Sequence, residues 1–127
     1  MQMSSMLLNP KLTGDIYSTS EVKTNKKWIN GKPIYRKVFE FATSSSNVNS
    51  WTTLASVSDL NIDTVMTLEG TYREGTSNYF HPINYYESST AYFVVMVLGN
   101  NLAYKKASGG TMIFYSKIIL EYTKTTD

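Results

Sequence analysis

The sequence predicts an all-β protein, a two-layer antiparallel β-sandwich of jelly-roll-like type, and three observations carry this prediction. Ten Tyr, five Phe and two Trp stand among 127 residues, and aromatic side chains favour pleated surfaces over helices. Polar and apolar residues alternate from Val65 to Arg73, which is the pattern of a strand with one wet face. Turn signals rich in Gly and Asn separate the apolar segments. The length fits one domain, residues 16–127, after an irregular lead-in from Met1 to Asp15.

The first hairpin is indicated by Asn30-Gly31, the dipeptide that most readily adopts positive φ in a tight turn. The run from Ile34 to Phe41 comes next, and its aromatic and β-branched residues predict a strand. Three aromatic residues of this strand are expected on one face: Tyr35, Phe39 and Phe41.

The middle of the chain is less regular. Thr43 to Ser50 is rich in Ser and Asn and predicts a loop. From Trp51 to Asn61 neither a period of 2 nor a period of 3.6 prevails, so the sequence leaves that segment open. The strand from Val65 to Arg73 then places three residues on the core side: Met66, Leu68 and Tyr72.

Three strands are predicted in the last third, from Ala91 to Leu98, from Leu102 to Lys106 and from Thr111 to Thr123. Gly99-Asn100-Asn101 and Ser108-Gly109-Gly110 separate them, so we expect an antiparallel meander. One side of the last strand is apolar and is assigned to the core: Met112, Phe114, Ile118, Leu120 and Tyr122.

The segment from Ala91 to Leu98 is apolar on both sides, because its residues do not alternate with polar ones. A strand of this kind needs apolar cover on both faces. Two kinds of cover stay open, a central position between two layers of the sandwich or contact with another subunit.

Composition excludes several classes of function. The net charge is +2 with Lys and Arg scattered, which argues against a nucleic acid partner. The chain has no Cys and a single His, so neither a thiolate site nor a multi-histidine metal site can form, and we expect no cofactor. The longest apolar run is far shorter than the roughly 20 residues that span a bilayer, and the run Met6 to Leu8 is too short for a signal peptide.

Several patterns resemble chemical motifs without completing them. Ser20-Glu21-Val22-Lys23 has the Ser-x-x-Lys spacing of some acyl enzymes but lacks the accompanying motifs. Asp59, Asn61 and Asp63 alternate as in a calcium loop, yet Thr64 stands where Gly is expected, so a turn or cap role is favoured. The remaining pairs are interpreted as solvated charges: Glu69 with Glu74, Glu74 with Glu87, Lys26 with Lys27, and Lys105 with Lys106.

The candidate binding surface is the segment from Tyr72 to Tyr92, which is rich in Tyr and Asn. Aromatic faces stack on the apolar side of a sugar, and amide groups satisfy its hydroxyls. His81 precedes Pro82 and is interpreted as a loop histidine rather than a lone general base. The alternative is that the tyrosines are half-buried strand residues. The residues predicted to contact a glycan or receptor are Tyr79, His81, Asn84, Tyr85 and Tyr86.

Four stretches of the chain resemble a family of bacteriophage and prophage tail, baseplate or fibre domains. The most specific is Trp28-Ile29-Asn30-Gly31-Lys32-Pro33-Ile34-Tyr35-Arg36-Lys37, in which Trp28, Asn30, Gly31, Pro33 and Tyr35 carry the motif. The others are Tyr17-Ser18-Thr19-Ser20-Glu21, Asn61-Ile62-Asp63 and the end Tyr122-Thr123-Lys124-Thr125-Thr126-Asp127. Together these stretches frame most of the chain after Tyr17.

The resemblance implies a compact β-sandwich, often trimeric, that serves as a virion protein made in the cytoplasm of the host bacterium. It implies no enzymatic activity; the expected partners are other virion proteins, further copies of the chain and host surface polysaccharide. Adhesion to the host cell is the leading interpretation. Since the long upstream part of such proteins is not present in this sequence, a head fibre, a capsid decoration protein or a purely structural tail or baseplate fitting stays open. A polysaccharide-degrading tail enzyme is the third alternative.

Overall fold

The computed structural model describes residues 16–108 and 112–127, and their secondary structure is almost entirely β. The predicted lead-in, Met1 to Asp15, lies outside the described residues, as does Thr111. Among the described residues no helix is long and apolar enough to cross a membrane. The strands are β1 Val22–Lys27, β2 Pro33–Ala42, β3 Val48–Ser56, β4 Ile62–Glu74, β5 His81–Pro82, β6 Tyr85–Ser88, β7 Ala91–Leu98, β8 Asn101–Ala107 and β9 Phe114–Lys124, with one 3₁₀ turn at Ser58–Leu60.

The strands form two antiparallel sheets that pack face to face, which confirms the predicted sandwich. One sheet has five strands in the order β1-β2-β9-β4-β5, and the other has four in the order β3-β8-β7-β6. In the four-stranded sheet, β6, β7 and β8 are neighbours in chain order. The earlier strand β3 lies beside β8, so the four strands are arranged as in a Greek key. The pairing of early with late strands, β2 with β9 and β3 with β8, is of the jelly-roll kind.

The expected meander of the last three strands is wrong for its last member. β7 and β8 form the predicted hairpin, but β9 crosses to the other sheet and lies between β2 and β4. The position beside β8 is taken by β3, so β8 has no free edge for β9. Thr43 fixes the crossing, because its hydroxyl accepts a hydrogen bond from the Phe114 amide at 3.0 Å. The Thr43 amide in turn donates to the Phe114 carbonyl at 3.0 Å.

The core lies between the sheets and is dominated by aromatic residues. Tyr72, Phe93 and Phe114 form its centre, with ring centroids 4.9 to 5.5 Å apart. The predicted aromatic face of β2 is confirmed, since Phe39 is buried there with Tyr35 and Phe41 packed against the core. The buried members of the core are Phe39, Val57, Leu60, Tyr72, Ile83, Phe93, Val95, Leu102, Tyr104, Phe114, Ile118, Leu120 and Tyr122.

Two predicted core residues are wrong. In β4 an irregularity in the pairing lies between Val65 and Thr67, so that Val65 packs against the core in place of Met66. Met112 precedes β9 instead of belonging to it, and 38% of its surface is exposed. A bulge changes which residues share a face, and alternation alone does not reveal it.

The turn and the undecided segment are explained by local geometry. Asn30-Gly31 lies in the predicted turn between β1 and β2, but only Gly31 has positive φ, at 85°. The Gly31 amide donates to the Trp28 carbonyl at 2.9 Å, so a wider loop replaces the two-residue turn.

The predicted loop from Thr43 is shorter than expected, because β3 begins at Val48. β3 is an edge strand with two irregularities in its pairing, which hides its period in the sequence.

The prediction that both faces of β7 are covered holds for one face. Phe93 and Val95 are buried against the other sheet. On the outer face, Tyr92, Val94 and Met96 are only partly buried. The described residues therefore leave this side of the four-stranded sheet half exposed.

Candidate functional site

The predicted contact segment, Tyr79 to Tyr86, crosses from one sheet to the other. β5 pairs with β4 at the edge of the five-stranded sheet, and β6 pairs with β7 at the edge of the four-stranded sheet. Within each of these strands, alternate residues therefore point to opposite faces of the sheet. The five predicted residues do not form a single surface.

His81 and Asn84 have structural contacts. The His81 ring lies 5.1 Å from the ring of Tyr72 and 5.3 Å from that of Tyr85. Asn84 adopts φ of 62°, and its Oδ1 accepts a hydrogen bond from the Val95 amide at 2.7 Å. This bond holds the turn against β7, and Tyr85 is half buried against the core.

Tyr79 and Tyr86 are both exposed. Tyr79 is 76% exposed and Tyr86 is 63% exposed. The Tyr86 ring stacks on Tyr92, with centroids 5.6 Å apart, on the outer face of the four-stranded sheet. Receptor contact by these residues stays a prediction.

This outer face carries a shallow depression of about 380 Å³, lined by Asn49, Tyr86, Ser89, Tyr92, Val94 and Lys105. Beside it, the Lys105 ammonium lies 4.7 Å from the centre of the Trp51 ring. We call five exposed or partly buried residues of this face the outer strip: Trp51, Tyr86, Tyr92, Val94 and Met96. Most of the surface of these side chains is apolar.

A larger groove, of about 490 Å³, lies on the outer face of the five-stranded sheet. We call it the charged groove, and its lining residues are Glu40, Phe41, Thr71, Arg73, Phe80, Tyr115, Ser116 and Lys117. Side chains alternate along β4 and β9, which places Arg73, Tyr115 and Lys117 on the face opposite the core. The sequence did not reveal that β4 and β9 are neighbours, so these residues could not be grouped into a site.

At the opposite end of the same sheet, the four motif stretches meet in one network, which we call the paired end. Lys32 forms an ion pair with Asp63 at 2.9 Å, and Lys124 forms one with Glu21 at 2.7 Å. The Tyr122 hydroxyl donates a hydrogen bond to Glu21. Each of the four stretches therefore contributes to a contact that fixes the fold.

A buried ion pair lies near this network on the outer face. Arg36 is 3% exposed, and its Nε and Nη2 lie 3.0 and 2.9 Å from Glu121 Oε2. The Tyr17 ring covers the guanidinium at 4.3 Å, and the Ile16 carbonyl accepts a further hydrogen bond at 3.2 Å. The arrangement satisfies a charge that would be costly to bury alone.

Three tyrosines have raised pKa values, and burial is the first cause in each. Burial raises the pKa of Tyr72 to about 12, with Glu74 adding to the effect. Burial and the hydrogen bond to Glu21 raise the pKa of Tyr122 well above its ordinary value. Burial and a hydrogen bond to Asp127 raise the pKa of Tyr35. All three remain neutral at physiological pH.

Lys105 and Lys106 face opposite sides, which separates the basic pair. Lys106 is fully buried, and its Nζ donates to the Met112 carbonyl at 2.5 Å and lies 4.5 Å from the Phe114 ring centre. Burial lowers the pKa of Lys106. Lys106 therefore acts as part of the core and cannot join a basic surface.

The other motif-like patterns have structural explanations. Asn61 ends the 3₁₀ turn in a left-handed conformation, which agrees with the predicted cap role. Asp63 is paired with Lys32, and no group of three or more metal-ligating side chains occurs in residues 16–108 and 112–127. Glu69 pairs with Ile119 and Glu74 with Phe114, positions on opposite faces of the sheet. Val22 opens β1, so Ser20 and Lys23 lie on no helix.

The motif hairpin presents apolar side chains at its tip. Ile29 is 90% exposed and Trp28 is 44% exposed. Asn30 Oδ1 accepts a hydrogen bond from the Lys32 amide at 3.0 Å, and Pro33 opens β2. Asn30, Gly31, Pro33 and Tyr35 therefore shape the hairpin, which leaves the tip free for contact.

Comparison with models of protein families, with curated proteins and with solved structures finds no match.

Proposed function

We propose that the protein is a bacteriophage virion component, a tail, fibre or head-fibre domain that adheres to the host cell surface without catalysis. The proposal is supported by the position of the aromatic and charged side chains that are accessible to a ligand. Aromatic and charged side chains line open depressions on the outer faces of both sheets, whereas the interior is filled by packed aromatic residues. Open faces of this kind suit reversible contact with an extended ligand.

Adhesion would rest on many weak contacts. Linking several copies on one particle raises the avidity roughly 100-fold or more without any new contact at the single site. Assembly as a homo-oligomer, a trimer by the family resemblance, supplies these copies. The outer strip supports such an assembly, because it offers half-exposed apolar side chains on a regular sheet face. Sedimentation of the protein and of a Val94→Lys variant tests the assembly.

A structural fitting is the second candidate, and the hairpin tip favours it. Ile29 and Trp28 expose apolar surface at a loop that is held rigidly by its own hydrogen bonds. Such a tip suits docking on another virion protein. In that case the depressions on the sheet faces have no ligand.

Capture of bacteria by protein-coated beads separates the two candidates. Adhesion predicts that dense coating captures host cells and that soluble surface polysaccharide releases them. A Tyr79→Ser variant tests a predicted contact residue that lies outside the outer strip, with Ile29→Ser as the matched exposed control. If no cells are captured at any coating density, adhesion is wrong and the fitting is favoured.

A further inference from the structure

The charged groove is built from two neighbouring rows of side chains across three strands. In the first row, Glu40, Lys117 and Thr71 occupy directly paired positions on β2, β9 and β4. In the second row, Tyr115 is paired with Arg73. Because paired side chains in a sheet point to the same face, all five project from the outer surface together.

The charges of this groove are not used by the fold. Within residues 16–108 and 112–127, the side chains of Glu40, Arg73 and Lys117 make no hydrogen bond or ion pair. Glu40 and Lys117 are direct neighbours, but their charged atoms do not come within 4.0 Å. The Arg73 guanidinium instead lies 5.6 Å from the Phe80 ring centre. Stacking on Phe80 orients the guanidinium and leaves its N–H donors available.

Two exposed aromatic rings flank these charges. Phe80 is 63% exposed and Tyr115 is 43% exposed. Single exposed aromatic residues are common, but here two of them border one groove with three charges that have no ion-pair partner among the described residues. The volume of about 490 Å³ lies within the range of small-molecule sites.

We propose that the charged groove binds an acidic saccharide, a sugar that carries a carboxylate. Arg73 and Lys117 hold the carboxylate, because a guanidinium donates two parallel hydrogen bonds to its oxygens. Tyr115 and Phe80 pack against the apolar side of the sugar ring. Glu40 accepts hydrogen bonds from the hydroxyls. This inference rests on the proposed function, since it names the ligand class of the host-contact surface.

Other acidic ligands fit the groove less well. A peptide that binds by strand addition needs a free sheet edge, whereas this groove lies on a sheet face whose strands are already paired. A nucleic acid needs many phosphate contacts, and the groove offers two cations beside one carboxylate. Glu40 gives the groove a net charge that suits one negative charge per sugar.

Binding of tetragalacturonate, measured by calorimetry, tests the proposal. The matched probe is its methyl ester, which keeps the ring and hydroxyls but removes the carboxylate charge. Arg73→Gln and Lys117→Gln should each weaken binding about tenfold or more, as expected for lost hydrogen bonds to a charged group. Lys23→Gln is the control, because it makes the same charge change at an exposed position that lines none of the described depressions.

The outcomes distinguish this inference from the proposed function. Equal binding of acid and ester, or no effect of Arg73→Gln, overturns the acidic saccharide. Binding of poly-L-glutamate in place of tetragalacturonate also overturns it and identifies an acidic peptide. If beads capture cells equally well with Arg73→Gln, adhesion stands and the groove is not its site. If the sugar binds as expected but no cells are captured, the groove stands and host adhesion is wrong.

Discussion

The two ends of the five-stranded sheet use the same strands in opposite ways. At the paired end, charged side chains contact one another: Lys32 with Asp63, Lys124 with Glu21, and Arg36 with Glu121. At the charged groove, Glu40, Arg73 and Lys117 have no charged partner within the described residues. Both ends are formed by β2, β9 and β4.

The difference separates charges that hold the fold from charges that are available to a ligand. A buried or partnered charge stabilises only while its partner is present. An exposed charge without a partner contributes little to folding and keeps its full capacity to bind. The motif stretches lie at the paired end. We therefore interpret the motif residues as residues that stabilise the fold and not as residues that contact a receptor.

The largest expected effect is the loss of the partner of Arg36. Glu121→Ala leaves a buried guanidinium without its carboxylate, and we expect a loss of about 3 kcal/mol or more in the free energy of unfolding. Urea unfolding followed by fluorescence measures it. Glu40→Ala, on the outer face of the neighbouring strand, is the control and should change stability by no more than about 0.5 kcal/mol. Equal effects of the two substitutions would remove the contrast between the ends.

A second large effect is expected at Gly70, which lies in β4 between the two ends. Its φ is 151°, and a Cβ there would lie 1.9 Å from the Lys117 carbonyl oxygen. Gly70→Ala should therefore force β4 and β9 apart and cost about 2 to 4 kcal/mol. Gly99→Ala is the control, since Gly99 has φ of 61° but open space around its Cβ position. If thermal unfolding shows equal losses for both, close strand packing is not the cause.

The hydroxyl of Tyr122 should matter more than that of Tyr115. Tyr122→Phe keeps the buried ring but removes the hydrogen bond to Glu21, at an expected cost of about 1.5 to 3 kcal/mol. Tyr115→Phe removes a hydroxyl that makes no hydrogen bond to any described residue, and its cost should be near zero. Urea unfolding of both variants checks the pair. A neutral Tyr122→Phe would show that the paired end does not depend on this bond.

Alkaline pH should destabilise the protein through the three tyrosines whose pKa values are raised. In the unfolded chain tyrosine titrates near pH 10, whereas the pKa values of Tyr35, Tyr72 and Tyr122 are raised in the folded state. The contribution of these neutral tyrosines to the free energy of unfolding is fully present below pH 10. It is lost as the pH rises, because the unfolded chain releases protons that the folded chain retains.

Tyr72 and Tyr122, which are buried, each lower the free energy of unfolding by roughly 1.4 kcal/mol per pH unit between the pKa of the unfolded chain and that of the folded chain. For Tyr72 the decline continues to a pH of about 12. The opposite effect of Lys106, whose pKa is lowered, ends at its ordinary value of 10.5. Urea unfolding at several pH values above 10.5 should show that the free energy of unfolding falls less steeply with pH for Tyr122→Phe than for the unsubstituted protein. An unchanged slope would contradict the assigned burial of the Tyr122 hydroxyl.

The smallest effect on stability is expected in the charged groove. Lys117→Gln removes an exposed charge with no partner among the described residues, so stability should change by about 0.5 kcal/mol or less. Differential scanning fluorimetry at matched ionic strength measures it. A clear loss would mean that Lys117 supports the fold, and the groove would then resemble the paired end.

Local patterns predicted the elements but not their partners. The alternation of β9 identified Phe114, Ile118, Leu120 and Tyr122 as core residues, and all four are buried. Alternation says nothing of which strand lies alongside, so the transfer of β9 to the other sheet was missed. Bulges had the same effect in β4, where Val65 replaces Met66 against the core. Long-range pairing depends on the whole chain and leaves no local period.

The candidate site was predicted less well for the same reason. Tyr79 and Tyr86 are exposed as a contact role requires, but Asn84 and His81 are occupied by structural contacts. The charged groove joins residues from β2, β4 and β9 with Phe80, and these are distant in sequence. Only the register of the sheet brings them together.

The contrast between the two ends is tested most directly by a nuclear magnetic resonance titration of the isotope-labelled protein with tetragalacturonate. We predict that amide shifts change around Glu40, Arg73, Tyr115 and Lys117 and stay constant around Glu21, Asp63 and Lys124. The opposite result would be amide shifts that change at the paired end, or only along the outer strip, and stay constant in the charged groove. That result would contradict the assignment of the unpaired charges to ligand binding.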